Sequence, residues 1–188
     1  MCLKTGDAGQ DAEHLYTDDP DALGRIFVGP YLAFEPDLSL VLEDAAGVCG
    51  YALAARDSRR FFQRYEREWR PILCREFPEP QGDRTTWSRP QHEYFTYHHP
   101  DYFCPEPYAL YPSHLHIDLL PRAQGRGYGR RMIEMLIAEL RRSGSPGVHL
   151  GVAARNLRAR GFYERLGFSE LTRAGAGDDQ CIYMGRRL

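Results

Sequence analysis

The feature that most constrains the fold is a glycine-rich turn, Gln124–Gly129, which joins a predicted strand to a predicted helix. Before the turn, Ser113–Leu120 alternates apolar and polar residues, a pattern that predicts a β-strand. After it, Gly127–Arg142 repeats apolar residues at helical spacing. The first amides of a helix lack internal partners, and the helix dipole favours an anion beside them. The sequence therefore predicts a phosphate or pyrophosphate site at this turn.

The turn differs from two common nucleotide-binding loops. Gly125 and Gly127 are followed by Tyr128, Gly129 and Arg130, so the dinucleotide spacing G-x-G-x-x-G is not met. The turn also lacks the Gly-Lys-Ser/Thr ending of a nucleoside-triphosphate loop. A nucleotide-binding regulator is therefore disfavoured.

Length and charge exclude several classes of protein. The chain has 188 residues, of which 43% are hydrophobic and 27% charged, as expected for a single domain over residues 1–188. A net charge of -2 argues against binding to nucleic acid or an anionic membrane. Ten arginines nevertheless lie between Arg122 and Arg165, and this local basic region suits a small polyanion.

The cysteines and the apolar runs predict a cytoplasmic protein. Five scattered cysteines without a C-x-x-C pair indicate reduced thiols rather than disulfides or a zinc site. No apolar run approaches the roughly 18 residues that cross a bilayer, and the N-terminus lacks a secretion-signal pattern.

The order of the predicted elements indicates an α/β fold with a mixed sheet. Strand, helix, strand and helix follow one another in the middle of otherwise antiparallel runs. Besides Ser113–Leu120, the sequence predicts a hairpin of two strands, Leu38–Glu43 and Val48–Ala55. It also predicts a single strand, Val148–Val152, and a closing pair of strands, Phe168–Leu171 and Gln180–Met184, joined by the turn Thr172–Asp179. The predicted further helices are Ala22–Phe27, ended by Gly29-Pro30; Ser58–Phe77, kinked near Pro71; and Asn156–Leu166, ended by Gly167.

One segment, Pro78–Pro112, has no clear periodicity and is rich in proline, glycine, histidine and aromatic residues. Loops of this length are uncommon within a compact domain and often functional. A surface excursion held by aromatic contacts and a substrate-binding lid both remain open.

Two motifs resemble the GNAT family of N-acetyltransferases. Leu119–Gly129 (LLPRAQGRGYG) resembles the family's cofactor motif, R/Q-x-x-G-x-G/A after a strand and a proline. After one helix and one strand, Asn156–Phe168 (NLRARGFYERLGF) resembles the family's N-x-x-A-x-x-F-Y-x-x-x-G-F segment. The resemblance covers about Leu38–Leu188 and implies a mostly antiparallel sheet, split at the cofactor site and flanked by helices.

A narrower resemblance involves Tyr111–Pro121 and the ending Ile182–Leu188, which look like the acetyltransferase-like C-terminal domain of O-GlcNAcase and its free-standing bacterial relatives. The glycine-rich loop, degraded in the animal domain, is intact here. GNAT domains usually open with a strand, for which Met1–Thr5 leaves little room. That first strand is therefore expected to be missing or short.

The resemblance implies acetyl-CoA as cofactor and assigns roles to residues. The backbone after Asp118 would pair with the pantetheine arm, the turn would hold the pyrophosphate, and Asn156 would hydrogen-bond the pantetheine. Tyr163 would present its hydroxyl to the departing thiolate, although its position also fits a core aromatic residue. The implied cofactor-binding residues are Leu119, Leu120, Gln124, Gly125, Arg126, Gly127, Tyr128, Gly129, Arg130, Asn156, Ala159 and Tyr163.

The polar face of the predicted strand Ser113–Leu120 supplies the candidate base. Direct acyl transfer needs a neutral amine, and Asp118 beside the cofactor turn is the first candidate for accepting its proton. A strand-end carboxylate that only orders the following turn is the alternative. His114 and His116 share this face and could relay protons. The same three side chains could bind a metal, but acetyl transfer needs none, so no metal is expected.

These observations predict an acetyl-CoA-dependent N-acetyltransferase that acts by direct attack of an amine. The rival hypothesis is a pseudo-acetyltransferase that binds acetyl-CoA or CoA and serves as a recognition module. The acceptor could be a small molecule or a peptide or protein lysine. The sequence leaves open whether the chain acts alone or as a homodimer.

Overall fold

A six-stranded mixed β-sheet organises the computed structural model, which describes residues 1–177 and 180–188. The strands lie side by side in the order β1-β2-β3-β4-β6-β5. In chain order they are β1 Ser39–Asp44, β2 Gly47–Ala55, β3 Ser113–Leu119, β4 Gly147–Ala153, β5 Ser169–Ala174 and β6 Cys181–Arg187. Every predicted strand is confirmed, with ends that differ by up to three residues.

The sheet opens between its two central strands. β3 and β4 are parallel and pair only at Ser113 with Val148 and at His114 with His149. The other neighbouring strands are antiparallel and pair along most of their length. Beyond His114 the C-terminal part of β3 is therefore bonded only to β2, and a gap separates it from β4. The predicted split in a mostly antiparallel sheet is confirmed.

Seven α-helices flank the sheet in the described part of the chain. Their order places two helices before β1, three between β2 and β3, and one after each of β3 and β4. The helices are α1 Ala22–Phe27, α2 Gly29–Phe34, α3 Ser58–Arg64, α4 Arg70–Glu76, α5 Arg89–His98, α6 Tyr128–Arg142 and α7 Leu157–Arg165.

The two faces of the sheet have different cores, because alternate residues of a strand point to opposite sides. We call the side covered by α6 and α7 the aliphatic face; its core includes Ala52, Leu115, Leu136, Val148 and Ile182. We call the other side, covered by α2 and α3, the aromatic face; its core includes Tyr31, Tyr51, Leu53, Ala55 and Phe61. Pairing with β2 places His114, His116 and Asp118 on the aromatic face. This face of β3 was expected to be polar, but it lies beneath α2 and α3, and His114 is only 4% exposed.

Two predicted helices are confirmed but differ in detail from the expectation. Gly29-Pro30 ends α1 as expected but also begins α2, since proline is well tolerated in the first helical turn. The predicted helix Ser58–Phe77 is divided into α3 and α4 by a π-helical turn, Tyr65–Trp69. Pro71 has no N–H to donate to the carbonyl four residues earlier. The regular α-helical hydrogen bonding is therefore interrupted, and the wider π-helical turn lies just before Pro71.

The segment Pro78–Pro112 is not a loop throughout, because it contains α5 at Arg89–His98. The signal for this helix is present in the sequence. Ser88 and Gln91 form a capping box, in which the backbone N–H of Ser88 donates to Gln91 Oε1 at 2.8 Å. Whether the segment acts as a lid stays a prediction.

The described N-terminal residues contain no strand before Ser39, in keeping with the expected loss of the first strand. Leu3–Thr5 instead forms a 3₁₀ turn. At the other end, the predicted turn Thr172–Asp179 lies partly outside the described residues. Its first residues continue β5 to Ala174.

Candidate active site

The gap between β3 and β4 holds a cavity of about 330 Å³, which we call the gap cavity. Four of the predicted site residues line it: Asp118, Asn156, Ala159 and Tyr163. Asp118 comes from the aromatic face, whereas Tyr163 belongs to the core of the aliphatic face. The two candidate catalytic side chains therefore border one cavity from opposite faces of the sheet.

Asp118 lies in the gap cavity with a tyrosine beside its carboxylate. Tyr51, its partner in the β2–β3 register, donates its hydroxyl hydrogen bond to Asp118 Oδ2. Burial raises the pKa of Asp118, while hydrogen bonds from Tyr51 and Thr5 act in the opposite direction. A carboxylate with a raised pKa is a stronger base than an exposed one, so this position suits proton acceptance.

Tyr163 is buried in α7, where its ring packs against Phe168 at a centroid distance of 5.8 Å. Burial and the nearby charge of Asp118 raise the pKa of Tyr163. The hydroxyl therefore keeps its proton at neutral pH and can act as a donor. Tyr163 lines the gap cavity, and the role of its hydroxyl toward a departing thiolate stays a prediction.

Asn156 caps the N-terminus of α7. Its Oδ1 accepts a hydrogen bond from the backbone N–H of Ala159 at 3.0 Å, as an N-cap residue does. Its Nδ2 donates to the backbone carbonyl of Ala8 at 3.0 Å. Arg155, the residue before Asn156, forms an ion pair with Asp7 at 2.6 Å. The N-terminal segment thus lies along the entrance to α7 and forms part of the gap cavity wall.

The glycine-rich turn has the backbone that its sequence predicts. Gly125 and Gly127 have φ angles of +72° and +82°, and a Cβ built on either would meet no atom within 4 Å. Gly127 is the N-cap of α6, so the amides of Tyr128 and the residues that follow it form the unpartnered first turn. The turn therefore presents an open backbone surface next to a helix N-terminus.

Three further predicted residues tie the turn to the sheet. Gln124 Nε2 donates to the carbonyl of Leu119 at 2.6 Å, at the open end of β3. Gly129 allows close packing, since a Cβ there would lie 3.1 Å from Phe162 and 3.2 Å from Leu119. Leu120 is bonded within the fold through its N–H to Cys49 and its carbonyl to Ala123, so neither backbone group of Leu120 is free to bind a ligand.

The arginines of the turn lie on the surface, where their charge is available to an anion. Arg126 and Arg130 are both near the start of α6, and Arg130 also contacts Glu134 at 3.4 Å. Arg122 pairs with Asp44 at 2.8 Å and so secures the β1–β2 turn beside this region.

The two histidines that could relay protons differ in their surroundings. His114 is hydrogen-bonded through Nδ1 to Ser58 Oγ and through Nε2 to Tyr31 Oη, both at 2.7 Å. Burial holds the pKa of His114 well below its usual value and, together with His149, lowers the pKa of His116 to about 4. Both rings are therefore neutral near pH 7. Only His116 lines the gap cavity.

Sequence reasoning missed the groups that surround Asp118. Tyr51 stands alone among apolar residues of β2, and its contact with Asp118 depends on a strand register that no local pattern reveals. Thr5 and Ala8 reach the cavity from more than a hundred residues away in the chain. Of the missed residues, Tyr51 carried the clearest signal, as a polar hydroxyl in a strand buried along most of its length.

Within residues 1–177 and 180–188, no group of three or more His, Cys, Asp and Glu side chains is arranged to hold a metal ion. None of the helices described is long and apolar enough to cross a membrane.

Comparison with known families and structures identifies the class of protein. Residues 15–168 match the acetyltransferase (GNAT) family, so this chain belongs to that family. The chain is similar over its whole length to SsHAT, whose crystal structure it matches with a TM-score of 0.85 and 39% identity, over 99% of this chain and 89% of the other. Both the fold class and the family resemblance predicted from the two motifs are confirmed.

Two further similarities are more limited in scope. The chain is 28% identical over 174 residues to protein O-GlcNAcase of Rattus norvegicus and of Mus musculus, a match that covers 92% of this chain but 19% of each relative. It therefore spans about a fifth of the length of these curated relatives. Naa20 of Chaetomium thermophilum, solved with a bisubstrate analogue, shares the fold with a TM-score of 0.52 at 20% identity, over 84% of this chain and 70% of that one.

Proposed function

We propose that this protein is an acetyl-CoA-dependent N-acetyltransferase that transfers the acetyl group to an amine by direct attack. The observation that carries the proposal is the gap cavity, where Asp118 and Tyr163 line one space between diverging strands. Family membership supports acetyl transfer in general, and the cavity supplies a base and an acid for the amine reaction.

The turn and the gap fit the two polar parts of acetyl-CoA, which supplies the acetyl thioester when bound. Gly125 and Gly127 leave the backbone amides of the turn open to a pyrophosphate, and the N-terminus of α6 adds favourable partial charge. The edge of β3 around Leu119 and the cap residue Asn156 border the gap through which an extended pantetheine would pass.

Asp118 and Tyr163 have complementary protonation behaviour. In the proposed reaction the amine nitrogen forms a bond to the acetyl carbon as the carbon–sulfur bond breaks. Asp118 accepts the proton that leaves the nitrogen, directly or through water, and Tyr163 gives its proton to the sulfur. Because no side chain becomes acetylated, the step needs no nucleophile from the protein.

The five cysteines are all free thiols, which supports a reducing compartment such as the cytoplasm. The acceptor amine, on a small molecule or on a lysine, enters from the side of the gap cavity that Asp118 faces.

A second function, a recognition module that binds CoA without turnover, is favoured by one observation. Asn156 Nδ2 is bonded to the carbonyl of Ala8, and the N-terminal segment forms part of the gap cavity wall. If that segment stays in place when ligand is present, the pantetheine arm has less room than an active enzyme needs.

Release of CoA from acetyl-CoA in the presence of candidate amines distinguishes the two functions. An active transferase releases CoA in proportion to acetylated amine, and the Tyr163→Phe variant slows this release more than it weakens acetyl-CoA binding. Tight acetyl-CoA binding with no amine-dependent release from any acceptor would favour the recognition module.

A further inference from the structure

A second cavity, of about 410 Å³, lies on the aromatic face next to the gap cavity; we call it the aromatic chamber. The two cavities share wall residues, among them Phe27, His116 and Gly151. His116 therefore lies between the two cavities, with Asp118 on the side of the gap cavity.

Aromatic rings form most of the chamber wall and hold one another in place. Phe62 lies between His114 and Tyr102, stacked on them at centroid distances of 5.2 and 4.7 Å. On another side, Phe103 stacks on Tyr183 at 3.4 Å. The chamber wall is built from several separate elements, since α1, α2, α3 and the residues after α5 all contribute to it. Such a space suits a small flat molecule better than a polypeptide.

The charge of the chamber is also distinctive. Among the described residues that line it, none is lysine or arginine, and the one carboxylate is that of the exposed Asp101. The lining histidines His114, His116 and His149 all have lowered pKa values because they are buried, so they are neutral near pH 7. The chamber therefore disfavours an anion and tolerates a cation, which aromatic rings attract.

Several polar groups of the chamber wall are already hydrogen-bonded within the protein. The hydroxyl of Tyr31 is bonded to His114, and that of Tyr102 donates to Glu66 at 2.7 Å. His149 Nδ1 is bonded to the carbonyl of Tyr111 at 2.9 Å. Thr96 and Asp101 are the other polar side chains of the described lining besides histidine, tyrosine and cysteine. A sugar would leave several hydroxyls without partners, and each such group lowers affinity.

We propose that the aromatic chamber is the acceptor pocket and that the acceptor is a small primary amine on an aromatic or flat apolar body without an anionic group. This inference rests on the proposed function. The body of the acceptor packs among the rings of Phe62, Tyr102 and Phe103, and its amine extends past His116 toward Asp118. The amine nitrogen then bonds to the acetyl carbon as the carbon–sulfur bond breaks, with Asp118 accepting a proton from the nitrogen and Tyr163 giving one to the sulfur.

Matched acceptors test the chemical class. We compare phenethylamine with phenylalanine, which adds a carboxylate, with glucosamine, with spermidine and with a lysine-containing peptide, and measure kcat/KM by CoA release. Phenethylamine is expected to exceed each of the others by roughly tenfold or more. A preference for glucosamine, spermidine or the peptide overturns the chamber assignment while the transferase function stands.

Two variants test whether the acceptor binds in the aromatic chamber. Phe103→Ala removes one stacked ring from the chamber wall and is expected to raise the KM for phenethylamine by roughly tenfold, with little change in acetyl-CoA affinity. Phe95→Ala is the matched control, since Phe95 is also half-buried and stacked, on His99 at 4.3 Å, but does not line the chamber. Equal effects of the two variants on this KM contradict the assignment.

Asp101→Asn tests the charge of the chamber. Removing this carboxylate is expected to narrow the preference for phenethylamine over phenylalanine by roughly two- to fivefold, a modest change because the side chain is exposed to water. An unchanged ratio means that Asp101 does not face the acceptor and contradicts that part of the inference.

Direct binding separates failure of the chamber from failure of the transferase function. Phenethylamine binding is measured by calorimetry on the wild-type protein and on Phe103→Ala. Binding that the variant weakens supports the chamber as a ligand site, and CoA release from none of the five acceptors overturns the transferase function. Absence of phenethylamine binding overturns the chamber assignment, whereas the transferase function still stands if another of the acceptors releases CoA.

Discussion

The aliphatic face and the aromatic face of the same sheet are stabilised in different ways. On the aliphatic face, Leu136 packs in a core whose described residues are apolar except for the hydroxyl of Tyr163. On the aromatic face, rings surround His114, and its two nitrogens are bonded to Ser58 and Tyr31. The first face provides non-directional burial, whereas the second depends on specific hydrogen bonds. A ligand site is more readily built into the second, because it already contains polar groups held in fixed positions.

The largest effect is expected at Asp118, where the aromatic face meets the gap. Asp118→Asn keeps the shape but removes the proton acceptor, so kcat should fall by roughly 10²–10⁴-fold. The defect should become smaller as pH rises toward the pKa of the amine, because the acceptor then loses its proton without help. A pH–rate profile of variant and wild type measures both effects.

Glu93→Gln is the matched control for Asp118→Asn. Glu93 is also a carboxylate with a pKa raised by burial, and it accepts a hydrogen bond from Tyr16 Oη at 2.8 Å, but it lies outside both cavities. This variant should retain kcat. An Asp118→Asn enzyme with normal turnover would make Asp118 a structural carboxylate and direct attention to His116.

The next largest effect tests the aliphatic face through stability. Leu136 is 1% exposed, and Leu136→Ala should lower the free energy of unfolding by about 2–5 kcal/mol by leaving a cavity. Tyr31→Phe on the aromatic face, which removes the hydroxyl bonded to His114, should cost less, about 1–3 kcal/mol. Urea unfolding of both variants measures the difference. A larger loss for Tyr31→Phe would show that hydrogen bonds outweigh apolar packing on that face.

The response to acid should distinguish the faces further. Burial lowers the pKa of His116 from the ordinary 6.5 to about 4. Below pH 6.5 the unfolded chain therefore binds a proton that the folded protein excludes, and the free energy of unfolding falls as pH decreases toward 4. The contribution of His116 is at most about 3 kcal/mol. His114 and His149 act with the same sign, while the raised pKa of Asp118 partly offsets them.

Urea unfolding between pH 4 and 7 measures this dependence. His116→Asn should flatten the loss of stability, whereas His14→Gln, at an exposed histidine, should leave it unchanged. An identical slope for His116→Asn and wild type would mean that His116 is solvated in the folded protein.

The difference between regular packing and specific contacts explains how much of the fold and of the candidate site the sequence could predict. Helix α6 and strands β3 and β4 follow from regular apolar spacing, and the glycine turn follows from residues that tolerate positive φ. The capping box at Ser88 also signals α5, although aromatic composition suggests a loop. The partners of Asp118 and Asn156 could not be predicted, because Tyr51 depends on strand register and Ala8 on a contact across almost the whole chain.

The smallest change in stability is expected at two glycines, which together test whether the turn binds acetyl-CoA. Gly127 and Gly47 have φ angles of +82° and +95°, and a Cβ at either meets no atom within 4 Å. Valine at each position forces a side chain into the left-handed region, at a cost of about 1–2 kcal/mol or somewhat more. Backbone strain alone therefore affects the two variants alike. Acetyl-CoA at a hundredfold excess over its Kd should stabilise the wild type and Gly47→Val by about 2.7 kcal/mol. Gly127→Val should lose this stabilisation, because the side chain covers the amides that begin α6. Thermal unfolding with increasing acetyl-CoA measures the shift, and an equal shift in both variants would place the anion site elsewhere than the turn.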